Sequence, residues 1–84
     1  MDDLSALPNM GKETVRRLKE VGIHTASELK AVGTEQAFLR LRALDPGACL
    51  SLLCGLEGAI QGIRWHNISP ERKDELKHFL KMLK

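Results

Sequence analysis

The stretch ACLSLLCGLEGAIQGI, residues 48–63, decides the fold. Its apolar side chains cover most angles of a helical projection instead of forming one stripe, which is typical of a helix buried on all sides in a soluble domain. The stretch contains the charged residue Glu57 and is too short to cross a bilayer as a helix. It therefore predicts a central core helix.

Small residues form a second pattern in the same stretch. Ser51, Gly55, Gly58 and Gly62 are spaced four, three and four apart, which places them along one side of the helix. An interior glycine costs about 1 kcal/mol relative to alanine, so this stripe predicts that something approaches closely. We expect another helix of the same domain to cross there, and a self-association face is the alternative.

Helix boundaries are marked on both sides of the central helix. A capping box joins Thr25 to Glu28, Thr34 is expected to cap the helix that follows it, and Ser69 precedes Pro70 as an N-cap followed by a first helical residue. The predicted flanking helices cover about residues 2–7, 12–21, 26–32, 35–44 and from 70 onward. The fold class is a compact all-α domain of five to six helices, with a helix-hairpin-helix-like N-terminal half and a central buried helix at about 48–63.

Several residues are expected in or beside the core. Leu44 is predicted to share an inner face with Phe38 and Leu41, and Trp65, as the only tryptophan, is predicted to pack inside. Cys49 is expected to be buried and apolar, and so is Cys54. A buried Glu57 needs a cationic partner, for which the candidates are Arg40, Arg42 and Arg64.

Length and composition narrow the function classes. With 84 residues and 43% hydrophobic content the chain forms a single domain over residues 1–84, and its net charge of +2 does not by itself indicate nucleic-acid binding. No apolar run is long enough for a membrane span, and the acidic start, Met1-Asp2-Asp3, does not look like a secretory signal. A cytoplasmic location is the expectation. Neither a metal-ligand spacing nor a catalytic constellation is present, so we expect no enzyme activity, metal or cofactor.

The segment LPNMGKETVRRL, residues 7–18, is the candidate binding segment. A turn ending at Gly11 opens directly into a helix whose first amides lack internal partners and lie at the positive end of the helix dipole. Lys12 adds a charge and Thr14 a hydroxyl, which together predict a site for phosphate oxygens. Asn9 is expected to adopt a positive φ in the turn, which asparagine tolerates well.

Three resemblances extend this interpretation. The motif L-P-N-M-G-K-x-T-x-x-x-L resembles a helix-hairpin-helix turn, and P-N-M-G-K-E-T is similar to the turn P-N-L-G-K-K-S in the C-terminal domain of the bacterial RNA polymerase α subunit. Over about residues 4–78, the blocks L-P-N-M-G, V-G-I-H-T-x-x-E-L-K-A-V-G, L-E-G-A-I-x-G-I-x-W and I-S-P-E-R-K resemble the C-terminal domain of TfoX/Sxy competence regulators.

The TfoX/Sxy resemblance implies a non-enzymatic regulatory domain in the cytoplasm of a bacterium, connected with competence and transcription. It also implies that full-length relatives carry an N-terminal domain before this one. Carried over by position, weak contact with the DNA phosphate backbone would involve the turn glycine and the three residues after it. The candidate nucleic-acid site comprises Asn9, Met10, Gly11, Lys12, Glu13, Thr14, Arg16 and Arg17.

The alternative is a protein–protein adaptor that docks on a transcription-related protein or on a second copy of itself. Its candidate contact residues are Gly55, Gly58, Gly62 and Trp65. The surface around residues 9–17 discriminates between the two hypotheses. An open positive surface favours DNA, whereas neutralisation by Glu13 and Glu20 favours the adaptor.

Overall fold

Five α-helices and two short 3-10 helices make up the fold in a computed structural model that describes residues 3–83. A first 3-10 helix precedes α1, and a second lies between α4 and α5. The bounds are Leu4–Ala6 for the first 3-10 helix, Lys12–Glu20 for α1, Ala26–Val32 for α2, Thr34–Leu44 for α3, Leu50–Gln61 for α4, Trp65–Asn67 for the second 3-10 helix and Pro70–Met82 for α5. Within residues 3–83 the only strand-like pairing is a single bridge between Asp3 and Thr25.

The central position of α4 is confirmed. Leu53, Leu56 and Ala59 are fully buried, and the helix packs against α2, α3, α5 and the second 3-10 helix. A helix that contacts neighbours on most sides has no polar face to spare, which explains its near-continuous apolar sequence. Phe38 of α3, buried in this core, meets Phe79 of α5 edge to face with ring centroids 6.4 Å apart.

The predicted caps are largely present. Ser69 Oγ accepts from the Arg72 N–H at 3.2 Å, and Pro70 begins α5 as expected. Thr25 Oγ1 accepts from the Glu28 N–H at 3.1 Å, but the Glu28 carboxylate accepts from the N–H of His24 instead of Thr25. The second hydrogen bond of the capping box, the one to the Glu28 side chain, therefore comes from the residue before the N-cap.

The expected cap at Thr34 is wrong. Thr34 is the first residue inside α3 and is buried, while Gly33 is the N-cap with φ +88°. The Thr34 hydroxyl donates instead to Glu57 Oε1 at 2.7 Å. A hydrogen bond to a charged carboxylate is stronger than one between neutral groups. The hydroxyl therefore donates to Glu57 on α4 instead of accepting from a backbone N–H as a cap.

The partner of Glu57 is also different from the three candidates. Arg72 of α5 donates to Glu57 Oε1 at 2.8 Å and to both carboxylate oxygens of Glu35 at 3.0 and 3.1 Å. Arg40 and Arg42 donate to backbone carbonyls elsewhere. Arg64 precedes the second 3-10 helix and is exposed. The helix α5 packs against α4 and thereby brings the Arg72 guanidinium to Glu57. Arg72 lies far from Glu57 in the sequence, so the spacing of nearby residues did not indicate this partner.

Two expectations about the core fail at the ends of elements. Leu44, the last residue of α3, is 49% exposed, because the chain leaves the core where the helix ends. Cys49 is exposed as the N-cap of α4, whereas Cys54 is buried as predicted, and both thiols are free.

Candidate functional site

The turn Pro8–Gly11, here called the N-terminal turn, leads into α1 as predicted. Asn9 has φ +65°, which confirms the expected positive φ. Gly11 is the N-cap of α1 with extended backbone, φ −81° and ψ 166°. Only a single 3-10 turn precedes it, so the structure supplies one full α-helix after the turn and none before it.

Asn9 turns inward and binds the far end of α4. Its side-chain amide donates to the carbonyl of Ile63 at 3.0 Å and to that of Gly55 at 3.5 Å, while its Oδ1 accepts from the Trp65 N–H at 3.3 Å. One side chain thereby joins three segments of the chain. Sequence reasoning missed this anchor, because its partners lie more than forty residues further along the chain.

The glycine stripe lies beneath the same side chain. A Cβ added at Gly58 would lie 2.6 Å from Asn9 Nδ2 and 2.7 Å from the Ile63 carbonyl, and one at Gly55 would contact Asn9 Cβ at 3.7 Å. The close neighbour predicted by the stripe is therefore a turn of the same chain and not a crossing helix. Gly62 has a different role: it ends α4 in the left-handed conformation at φ +75°.

The entrance to α1 is open. Gly11, Lys12 and Glu13 are exposed, Thr14 is half-buried, and nothing lies within 4 Å of a Cβ built on Gly11. Gly11 provides no side-chain cap, so its place at the helix start leaves the first amides of α1 facing outward.

The arginines of α1 are already neutralised within the protein. Arg16 pairs with Glu13 and with Glu20, the latter at 2.5 Å. Arg17 pairs with Asp45 at 2.9 Å and with Glu13 at 3.3 Å. The hydrogen bond from Arg16 also holds the pKa of Glu13 below its usual range, which keeps that carboxylate charged.

Two lysines at this end of the molecule lack an ion pair in the described part of the chain, and the charge of Lys19 interacts with Asp3 only at longer range. Lys12 and Lys19 form no ion pair with any residue of the described range 3–83. Together with Arg16 they border a shallow groove of about 440 Å³, whose remaining lining residues are Ser5, Met10 and Val15. The surface is thus mildly basic and partly apolar.

Trp65 is not in the core, contrary to the prediction. It is 44% exposed in the second 3-10 helix. Its ring stacks on His66 with centroids 4.0 Å apart, and Lys73 Nζ lies over the ring 5.7 Å from the centroid. The backbone N–H of Trp65 is held by the Asn9 side chain, while its indole is partly exposed in the short helix that follows α4.

Beside Trp65 lies a cavity of about 240 Å³, here called the Trp65 pocket. Its other lining residues are Leu50, Ser51, Cys54, Lys73 and Lys77. Trp65 belongs to a 3-10 helix, the lysines to α5 and the rest to α4, so no local sequence pattern could have assembled this group. Burial raises the pKa of the Cys54 thiol, which therefore contributes as a neutral apolar group.

Metal and membrane sites were also sought in the structure. No cluster of three or more His, Cys, Asp or Glu side chains suited to a metal ion occurs among residues 3–83. None of the helices in that range has the length and apolar character needed to cross a bilayer.

Comparison with known proteins identifies the family. The family model for the TfoX C-terminal domain matches residues 1–80. The chain belongs to the TfoX C-terminal domain family. Protein Sxy of Escherichia coli (strain K12) is 37% identical over 73 residues, which make up 87% of this chain and 35% of Sxy. The present TfoX-family domain thus spans about a third of the length of that relative.

Two solved structures share the fold of this TfoX-family domain. The triclinic crystal form of an uncharacterised protein from Listeria monocytogenes has a TM-score of 0.95 at 49% identity, covering 96% of this chain and 92% of that one. A tetragonal crystal form of a Listeria monocytogenes protein of unknown function has a TM-score of 0.94 at 49% identity, covering 98% and 100%. The helical arrangement described above is therefore that of a solved fold.

Proposed function

We propose that this TfoX-family domain is a non-enzymatic regulatory module that acts by docking on another protein. The observation that carries the proposal is the neutralisation of Arg16 and Arg17 by Glu13, Glu20 and Asp45. This is the arrangement that distinguishes the adaptor hypothesis from the DNA hypothesis. A transcription-related protein in the bacterial cytoplasm is the proposed class of partner.

The electrostatic argument can be made quantitative. Each DNA phosphate neutralised by a protein cation contributes about −0.9 to the slope of log affinity against log salt. Two phosphate contacts, made by Lys12 and Lys19, give a slope of about −2. Proteins that make roughly 6–10 phosphate contacts have slopes of about −5 to −9. Such a surface supports at most weak binding with a shallow salt dependence.

The middle of the glycine stripe offers no docking face for a partner or a second copy, although Gly62 at its end is exposed. Gly55 and Gly58 are covered by Asn9, whereas Trp65 stays accessible. We therefore propose that docking uses the Trp65 side of the domain.

Photocrosslinking in the organism that encodes the chain tests the docking proposal. A photoreactive amino acid replaces Lys77 on the Trp65 side in one strain and Lys19 of α1 in another, with Lys30 of α2 as a matched exposed control. The proposal expects discrete adducts from position 77 that protease removes and nuclease leaves intact. Adducts that only nuclease removes, or an adduct pattern identical at all three positions, would refute it.

Phosphate contact through the N-terminal turn is the second candidate function. It is favoured by the open Gly11, the outward amides of α1 and the unpaired Lys12. In an anisotropy titration with duplex DNA at low salt, this candidate expects binding that Lys12→Glu and Thr14→Glu both weaken. DNA binding that is equal in the wild type and in both variants would remove the turn as the site.

A further inference from the structure

The Trp65 pocket combines an apolar interior with a basic rim. Leu50 and the neutral thiol of Cys54 line it from α4, and the partly exposed indole of Trp65 forms a wall. Lys73 and Lys77, one turn apart on α5, line the opposite side. An apolar pocket bordered by positive charge suits a ligand that carries both an apolar group and a negative charge.

The two lysines are available to such a ligand. Neither forms an ion pair with any residue between 3 and 83. Lys73 Nζ donates to the carbonyl of His66 at 3.4 Å, a long bond to a neutral acceptor, so its charge stays uncompensated. The nearby carboxylate of Glu57 is held by Arg72 in the interior and does not neutralise them.

The size of the pocket limits the occupant. Its volume of about 240 Å³ is below the roughly 300–1,000 Å³ typical of sites that enclose a small-molecule ligand. One apolar amino-acid side chain fills a space of this kind while its neighbours stay at the rim. A peptide segment therefore fits the pocket better than a free metabolite does.

We propose that the Trp65 pocket binds an acidic segment of a protein partner, which inserts one apolar side chain beside Trp65 and places flanking carboxylates on Lys73 and Lys77. This inference rests on the proposed docking function and specifies its site and the chemistry of the partner. Burial of an apolar side chain supplies affinity, whereas the lysine–carboxylate contacts select acidic partners over basic ones.

A nucleic acid fits this surface less well. Stacking of a base needs a free aromatic face, but His66 stacks on the indole at 4.0 Å and the Lys73 ammonium lies over the ring. A base that stacked on the face used by His66 or Lys73 would have to displace that side chain. A second copy of the chain is the other occupant, and it is distinguished below by its effect on molar mass.

Trp65 provides the readout, because it is the only tryptophan and the chain has no tyrosine. The full chain is titrated at low salt with three short blocked peptides: one with leucines flanked by glutamates, one with the glutamates replaced by glutamines, and one with the leucines replaced by serines. The proposal expects the first peptide to change Trp65 fluorescence saturably and the other two to bind at least about threefold more weakly.

Charge-reversal variants locate the site. Lys77→Glu is expected to weaken binding of the glutamate–leucine peptide about threefold to tenfold, whereas Lys81→Glu, the same change on the same helix outside the pocket lining, leaves it unchanged. Circular dichroism of both variants checks that they are folded. Equal weakening by the two variants would show a general charge effect and would overturn the pocket.

Other outcomes also decide the matter. The absence of peptide binding up to about 1 mM, saturable quenching by a single-stranded oligonucleotide that displaces the peptide, or a dimeric molar mass in light scattering that Lys77→Glu abolishes would each overturn the proposal. If the peptide fails while position 77 still yields nuclease-resistant protein adducts in cells, the docking function stands and the acidic-segment proposal alone is refuted. If no position yields protein adducts, the docking function fails as well.

Discussion

Replacing Gly55 or Gly58 with alanine makes the same chemical change three residues apart on α4, yet the structure predicts opposite effects. A Cβ at Gly55 meets only Asn9 Cβ at 3.7 Å, an ordinary contact. A Cβ at Gly58 meets Asn9 Nδ2 at 2.6 Å, the Ile63 carbonyl at 2.7 Å and the Trp65 amide nitrogen at 3.2 Å. Two of those three neighbours are backbone atoms, which have little freedom to move aside.

The magnitudes follow from helix propensity and packing. Either alanine gains about 1 kcal/mol from helix propensity. At position 55 little opposes that gain, so Gly55→Ala is expected to raise the free energy of unfolding by about 0.5–1 kcal/mol. At position 58 overpacking costs about 1–3 kcal/mol, and the displacement of Asn9 weakens its hydrogen bonds by about 1 kcal/mol in total, which cancels the gain from helix propensity. Gly58→Ala is therefore expected to be less stable by about 1–3 kcal/mol.

Thermal unfolding followed by circular dichroism measures both effects. For a domain of this size about 1 kcal/mol corresponds to a change of about 4–8 °C in Tm. Gly55→Ala should melt a few degrees above the wild type, and Gly58→Ala should melt clearly below it. If Gly58→Ala melts at or above the temperature of the wild type, the close approach of Asn9 to α4 is refuted.

Three further predictions concern the buried Glu57–Arg72 pair and the two thiols. Burial raises the pKa of Glu57, but hydrogen bonds from Arg72 and its other partners outweigh that effect and leave the pKa below its ordinary value of 4.5. The contribution of Glu57 to stability is therefore complete above about pH 4.5 and is lost as the pH falls through the folded-state pKa. Denaturant titrations should show that the free energy of unfolding of Glu57→Gln falls less steeply at acidic pH than that of the wild type. Arg72→Met leaves that carboxylate buried without its cation and should lower the free energy of unfolding by about 3–5 kcal/mol at pH 7, so an unchanged denaturation midpoint would contradict the buried ion pair. Backbone N–H groups at the start of α4 lower the pKa of the exposed Cys49 thiol, whereas burial raises that of Cys54; a thiol reagent should therefore label Cys49 first, which mass spectrometry of Cys49→Ser and Cys54→Ser checks.

Local features of the fold were predictable from the sequence. The cap at Ser69 and the positive φ of Asn9 each depend on neighbouring residues alone, so both could be predicted, whereas Gly62 was expected inside the central helix and instead ends it. The central helix was predictable as well, because burial on most sides leaves an apolar run that few other environments tolerate.

Features that depend on distant segments were not predictable. The partner of Glu57 lies on α5, and the neighbour of the glycine stripe is a side chain more than forty residues earlier in the chain. Trp65 was expected inside, because a lone tryptophan usually fills a core, but a short 3-10 helix carries it to the surface. In the candidate site the open turn was foreseen, whereas the pairing of Arg17 with Asp45 needed the three-dimensional arrangement.

The Asn9 anchor has a consequence for any partner that covers a large part of this surface. The side-chain amide of Asn9, in the turn before Lys12, is hydrogen-bonded to the carbonyl of Ile63 and to the N–H of Trp65. These hydrogen bonds fix the distance between the N-terminal turn and Trp65, the two surfaces considered for binding. A partner that contacts both surfaces must carry its binding groups at that separation. Asn9→Gly would let the separation vary while leaving the residues of each surface unchanged.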